Sequence, residues 1–355
     1  MSEHRAPLRS VPEVSNRHGA NLGDAVDLLA RNFPEPKWLV PDLLPGGLAM
    51  LAGKPKSGKS WLALNWAVAI ATGSETLGRR CPVRKVAYFS YESGVGFDTH
   101  GQKRLREVCE AMDVTLTEGQ LQFLDLYDLK PGSRPVLGGK GADSLEDQIE
   151  GLFDDGFGLI IIDTLSAVQG PQTPEYRAEA KELQRLAQIC RKHPDKAVLL
   201  VHHLTKGEIP SGEGIWDMAY GTQALPGTIE AQLMLIHGQA GGAARELHIR
   251  GRHFESGEPF GIELREGLFV DLGSPVAARL KGHRKEIWDL LMAHEATSDR
   301  PLTTAVIKEN LSDADWSGSS VDVTLSRMVQ DRQIAKAGHG KYCLASAGRG
   351  QPQGA

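Results

Sequence analysis

The chain has 355 residues, 41% hydrophobic and 24% charged, close to the globular average, which excludes a wholly disordered chain, a collagen and a coiled-coil rod. Forty Lys and Arg against 45 Asp and Glu leave a net charge of −5, so nucleic-acid contact must come from a local patch rather than the bulk field. The length points to two domains, one of them large. Cys81, Cys109, Cys190 and Cys343 form no CxxC pair, as expected of buried thiols in a reducing compartment. The N-terminus MSEHRAPLRS lacks the apolar core of a secretory signal. The longest apolar stretch, Trp61 to Ala71, contains Asn65 and falls short of the ~20 residues a membrane span needs. A soluble, cytoplasmic protein with no membrane partner is expected.

Residues 1–36 read as a polar, mobile arm carrying one short helix, with Ala25, Leu28 and Leu29 on a face and Pro34 ending it. From Leu48 onward apolar strands alternate with helical patterns. The expected strands are 48–51, 86–91, 121–126, 159–162, 198–201 and 231–236, several of them continuous apolar runs suited to burial on both faces. Leu105, Val108, Cys109 and Met112 make one helical face, and Leu183, Leu186, Ala187 and Cys190 another. Thr173 and Pro174 suit the start of the second helix. Residues 131–143 (PGSRPVLGGKGAD) read as a surface loop. Strand–helix alternation of this kind predicts an α/β domain with a mainly parallel central sheet over 37–272. A late hairpin follows, 246–252 turning at 255–258 into 260–264. Residues 273–282 read as a linker. Residues 283–347 read helix, helix, helix, hairpin, the order of a winged helix-turn-helix, and 348–355 as a disordered tail.

Gly53-Lys54-Pro55-Lys56-Ser57-Gly58-Lys59-Ser60 matches G-x-x-x-x-G-K-[ST] in full, with an apolar strand before it and an apolar helix opening at Trp61 after it. The glycines let the backbone wrap a phosphate with its N–H groups inward, and the helix N-terminus adds its dipole. Lys59, expected to be exposed apart from this role, reaches the β- and γ-phosphates of ATP, and Ser60 ligates Mg²⁺. Asp163 closes the run Leu159-Ile160-Ile161-Ile162, where a carboxylate holds the same Mg²⁺ through water. Asp163 is followed by Thr164 and not by a second acid. Glu92, at the end of the neighbouring strand, is therefore the candidate base for the attacking water.

This set resembles RecA-like P-loop ATPases, and within them the RepA-type hexameric helicases and relatives grouped as the AAA_25 family. The resemblance rests on WLVPDLLPGGLAMLAGKPKSGKSWLALNWAVAIATG (38–73) and VLLVHHLTK (198–206), and covers about 35–270. It implies a ring-forming homo-oligomer, a hexamer, that moves along single-stranded DNA using ATP. It implies that His202 or His203 senses the γ-phosphate and relays its state to DNA-binding loops; the sequence leaves open which of the two faces the nucleotide. It also implies that Arg250 or Arg252 completes a neighbour's ATP site. The loops 169–176 and 206–220 are the candidates for touching DNA, with Trp216 and Tyr220 available to stack on bases. The winged-helix segment lies outside the resemblance and carries eight Lys and Arg against nine Asp and Glu. It suits backbone tracking by Lys336, His339 and Lys341, or docking of replication or repair proteins. An ATP-switched regulatory or DNA-repair assembly protein on the same fold is the second reading. A nucleotide-binding module without turnover is a third, against which Glu92 argues.

Overall fold

In the computed structural model of the protein the described residues are 25–30, 35–91, 99–125, 135–139, 141, 144–169, 176–204, 215–216, 228–237, 244–254, 259–272, 280, 282–295, 297–298, 300–311, 318–331 and 333–344. The chain divides into two units, Met1–Glu35 and Pro36–Ala355. The first contains helix α1 (Ala25–Ala30).

The second unit opens with a small ribbon, β1 (Trp38–Val40) against β2 (Leu44–Pro45), and then alternates. Strand β3 (Gly47–Gly53) leads into α2 (Lys59–Thr72), a second ribbon of β4 (Glu75–Thr76) and β5 (Arg79–Arg80), β6 (Lys85–Ser90), α3 (Thr99–Ala111) and β7 (Leu121–Asp125). Next come α4 (Leu145–Asp154), β8 (Phe157–Asp163), α5 (Leu165–Val168), α6 (Tyr176–Lys192) and β9 (Ala197–His203). Strands β10 (Ala231–His237), β11 (Ala244–Gly251), β12 (Phe260–Arg265) and β13 (Leu268–Asp271) complete the α/β part.

Among the described residues nine strands form one sheet in the order β13-β12-β11-β10-β3-β9-β8-β6-β7. From β10 to β7 every pairing is parallel, and from β10 to β13 every pairing is antiparallel. The middle strands β3 and β8 are buried along their whole length, which is why their sequences are unbroken apolar runs. Alternate residues feed two cores. Ala49, Leu51, Leu199 and Val201 face α2, while Leu48, Met50, Val198 and Leu200 face α4 and α6.

Helix α2 is buried on nearly every side, so its sequence shows no polar stripe. It begins after Gly58 and stops at Gly73, whose left-handed backbone donates to the Ala69 carbonyl. The antiparallel strands curl over this helix. Asn65 Nδ2 donates to the Gly267 carbonyl (2.9 Å) and Asn65 Oδ1 accepts from Phe269 N (2.8 Å), tying α2 to the β12–β13 turn.

The last segment comprises α7 (His283–Glu295), β14 (Leu302–Thr303), α8 (Thr304–Asn310), α9 (Gly318–Gln330), β15 (Ile334–Gly338) and β16 (Lys341–Leu344). The three strands pair as β14-β16-β15, and the helices close on Ile287, Trp288, Leu291, Ile307, Val321, Leu325 and Met328. Ala244 of β11 and Leu272, just past β13, belong to the same core. So does Leu280, in the stretch expected to be a linker; its side chain is buried because it plugs this core.

Several elements depart from expectation. Helix α4 forms directly after the expected loop 131–143, with Ser144 Oγ capping Asp147 N at 3.1 Å and Glu146 and Asp147 in its first turn. Strands β13 and β14 are additions. Thr173 and Pro174 lie outside the described residues, as do 126–134, 273–279, 281 and the tail.

Candidate nucleotide-binding site

The loop from Gly53 to Ser60 joins the carboxyl end of β3 to the N-terminus of α2. Its two glycines are required by geometry. A Cβ on Gly53 would lie 2.6 Å from the Leu235 carbonyl oxygen and 2.7 Å from Ser57 Oγ. Gly58 has φ +102° and a Cβ there would lie 2.9 Å from the Phe269 ring. Lys59, expected from the sequence to be exposed, is instead buried at 4%. Its ammonium donates to the carbonyls of Gly53 and Lys54, both at 3.0 Å, because an amine under the loop must satisfy its donors there. Lys54, Pro55, Lys56 and Ser57 form the apex of the loop, with Pro55 and Lys56 exposed. The ring of Trp61 turns to α3, with the Arg104 guanidinium 5.5 Å from its centre.

Asp163 ends β8 and is buried at 4%; Tyr88 of the adjacent β6 donates its hydroxyl to Asp163 Oδ2 at 2.8 Å. Glu92 lies outside the described residues. The strand before it brings Ser90 level with Asp163, and Tyr91 N donates to the Asp163 carbonyl. At the end of β9 the two histidines part. His203 is level with Gly53 and its Nδ1 lies 3.3 Å from Lys59 Nζ. His202, one residue earlier, shares the opposite face with Leu200.

The late arginines lie away from the phosphate loop. Arg250 is opposite Gln232, three residues (about 10 Å) short of the level of Gly53 on β10. Its Nε donates to Gln232 Oε1 at 2.6 Å and its guanidinium lies 4.4 Å from the centre of the Trp216 ring. Arg252, just past β11, is 59% exposed and 3.5 Å from Glu230. Trp216 corrects an expectation: it is 7% exposed, packed against Ala52, Leu204 and Met234 beneath Arg250, and does not present its ring for base stacking. Tyr220 and most of 169–176 and 206–220 lie outside the described residues. Lys336, His339 and Lys341 are exposed on the β15–β16 hairpin.

Sequence reasoning missed Tyr88, Arg245 and His237. Tyr88 sits inside an apolar strand and reads as core. Arg245 and His237 flank the loop apex only because β10 and β11 pair in register. The signal was a histidine closing one strand and an arginine near the start of the next.

A glycine-lined loop entering a buried helix from a buried parallel strand, with a lysine beneath it and a carboxylate at a nearby strand end, defines a P-loop nucleotide-binding protein of the RecA-like kind. A family model for the AAA domain (AAA_25) matches residues 17–208, more than half of the chain. The chain belongs to that family of RecA-like P-loop ATPases. The match ends before β10, so β10–β13 and the last segment lie beyond it. Among solved structures, the crystal structure of the RadB recombinase is similar, with TM-score 0.43 and 21% identity over 64% of this chain and 91% of that chain. No curated protein matches. Among the described residues no helix is long and apolar enough to cross a membrane.

Proposed function

We propose that the protein is an ATP-hydrolysing, ring-forming translocase or helicase acting on single-stranded DNA. The observation that carries this reading is the contact between His203 Nδ1 and Lys59 Nζ. It puts an imidazole at the mouth of the segment after β9 beside the ammonium meant for the β- and γ-phosphates. An imidazole there gains or loses a phosphate hydrogen bond as ATP is hydrolysed, and the chain it ends passes the change onward.

In this reading Lys59 binds phosphate, His203 senses it and Glu92 orients the attacking water. The buried, Tyr88-held carboxylate of Asp163 and the hydroxyl of Ser60 suit Mg²⁺, which takes most of its ligands from phosphates and water. The ion would supply charge neutralisation at the transferring phosphoryl group. Arg252 is the better of the two candidates for reaching a neighbouring subunit, because its side chain is largely exposed while Arg250 packs on Trp216. The last segment, a helical trio with a three-stranded antiparallel sheet, suits a winged helix that contacts DNA or a partner protein.

The second reading is an ATP-switched regulatory or repair assembly ATPase without unwinding. The buried Trp216 and the near-neutral last segment favour it, since both withhold contacts that strand tracking uses. The test is ATPase rate with and without single-stranded DNA, beside a strand-displacement assay. Stimulation with displacement supports the helicase. Stimulation alone supports the switch, and no ATPase at all would overturn both.

A further inference from the structure

Strands β10 and β11 overshoot the end of β3. Leu235 is level with Gly53, and two residues further His237 stands opposite Arg245, beside the phosphate loop. Arg245 Nε donates to the Ser57 carbonyl at 3.0 Å, and its Nη1 donates to the Ala244 carbonyl at 3.0 Å, which fixes the plane of the guanidinium. Burial, with Arg245 beside it, holds the His237 imidazole below the ordinary histidine range, and the Lys56 backbone opposes that shift. Lys56 itself has φ +63°, a left-handed conformation that a non-glycine residue keeps only when its surroundings enforce it. The apex is thus gripped from outside at Ser57, by a side chain of β11.

The direction of the grip matters. A trans peptide sets its C=O and N–H on opposite sides. With the Ser57 carbonyl drawn toward Arg245, the Gly58 N–H is turned the other way. That amide belongs to the set which a loop of this kind aims at phosphate. Desolvation holds Arg245 below the ordinary arginine range, and Glu263 opposes this from β12; the group stays a cation at any working pH. Ala244, the adjacent residue, sits in the core shared with Trp288 and Leu291, so the strand that carries Arg245 is anchored on its other face.

We propose that Arg245 is a positioning residue for polyphosphate binding, holding the Ser57–Gly58 peptide in its anion-accepting orientation from within the same subunit. The proposal rests on the reading of 53–60 as a nucleotide phosphate loop. It adds a determinant that lies beyond the family match and outside the loop's own motif.

The test titrates the full-length protein with ATP and with inorganic tripolyphosphate, each with Mg²⁺, and measures KM and kcat beside the thermal midpoint. Arg245→Met keeps the stem and removes the donors. It should weaken both ligands by about tenfold, the worth of one charge-assisted hydrogen bond. KM should rise alike while kcat moves by less than about threefold, and Arg245→Lys should recover most of the affinity. If only the thermal midpoint falls, or if ATP weakens while tripolyphosphate does not, Arg245 does not position the phosphate loop. Should Arg245→Met fail to fold, Arg245→Gln is read the same way, and wild-type affinity for both ligands overturns the proposal. A wild-type protein that binds neither ligand overturns the phosphate-loop reading itself, and this proposal with it.

Discussion

Lys59 and Asp163 are the two charged groups the phosphate site keeps buried, and each already has a protein partner. Lys59→Ala removes the ammonium from the loop and should reduce ATP hydrolysis to background. ATP at a hundred times its Kd stabilises a folded protein by about 2.7 kcal/mol. At roughly 2–4 °C per kcal/mol for a domain of this size, wild type should gain about 5–10 °C in Tm with ATP, and Lys59→Ala should gain none. Tyr88→Phe tests the other group. Its hydroxyl bond to a buried carboxylate is worth about 1.5–3 kcal/mol. The variant should lose that much stability in a urea titration and need more Mg²⁺ for half-maximal turnover. An unchanged Mg²⁺ requirement would place Asp163 outside the metal's reach. The loop and Asp163 were legible in the sequence because a contiguous motif and an apolar run ending in an acid are local patterns. Tyr88 was not, since its partner is 75 residues away and only strand register brings them together. The same holds for Arg245, 188 residues from Ser57. The choice between His202 and His203 needed the sheet, because alternation assigns faces only once a neighbour has fixed which face is which.

At the level of elements, α2 is held by a device that periodicity cannot reveal. Asn65 breaks the apolar run from Trp61 to Ala71 and reads as a blemish in a buried helix. In the fold it is the bridge to the β12–β13 turn, accepting from Phe269 N and donating to the Gly267 carbonyl. Asn65→Ala leaves the buried Phe269 N–H and the half-buried Gly267 carbonyl without that partner. The cost should be about 2–4 kcal/mol, read as a fall of roughly 5–15 °C in Tm. Asn65→Leu, which restores volume but not the bonds, should do no better; full recovery by leucine would reduce the bridge to packing. The parallel strands were readable because burial on both faces forces long apolar runs. Helix α4 was readable too, and was passed over: Leu145, Ile149, Leu152 and Phe153 recur at helical spacing behind a serine cap. Strand β13 was hidden by its length of four residues and by Asp271, whose partner Arg79 comes from the distant β4–β5 ribbon.

At the scale of the whole molecule, the position of the late arginines gives the proposed ring its sharpest test. Arg252 is exposed and stands at the end of β11 away from its own phosphate loop, so any catalytic use of it requires a second subunit. A monomer then holds an incomplete site, and specific activity should climb steeply with protein concentration. Lys59→Ala subunits keep Arg252, and Arg252→Ala subunits keep an intact loop. Each alone should be nearly inactive, since an arginine supplied to the transferring phosphoryl group is worth ~10³–10⁵ in rate in the best-studied cases. Mixed in equal amounts they should regain turnover, because some junctions then pair a sound loop with a sound arginine. Arg250→Ala makes the contrast. Its guanidinium packs on Trp216 and bonds Gln232, so its loss should lower stability, and mixing it with Lys59→Ala should restore nothing beyond the activity the arginine variant has alone. A mixture of Lys59→Ala and Arg252→Ala that stays inactive while sizing shows mixed oligomers would remove Arg252 from the neighbour's site. A protein that sizing shows to be a fully active monomer would remove the ring itself.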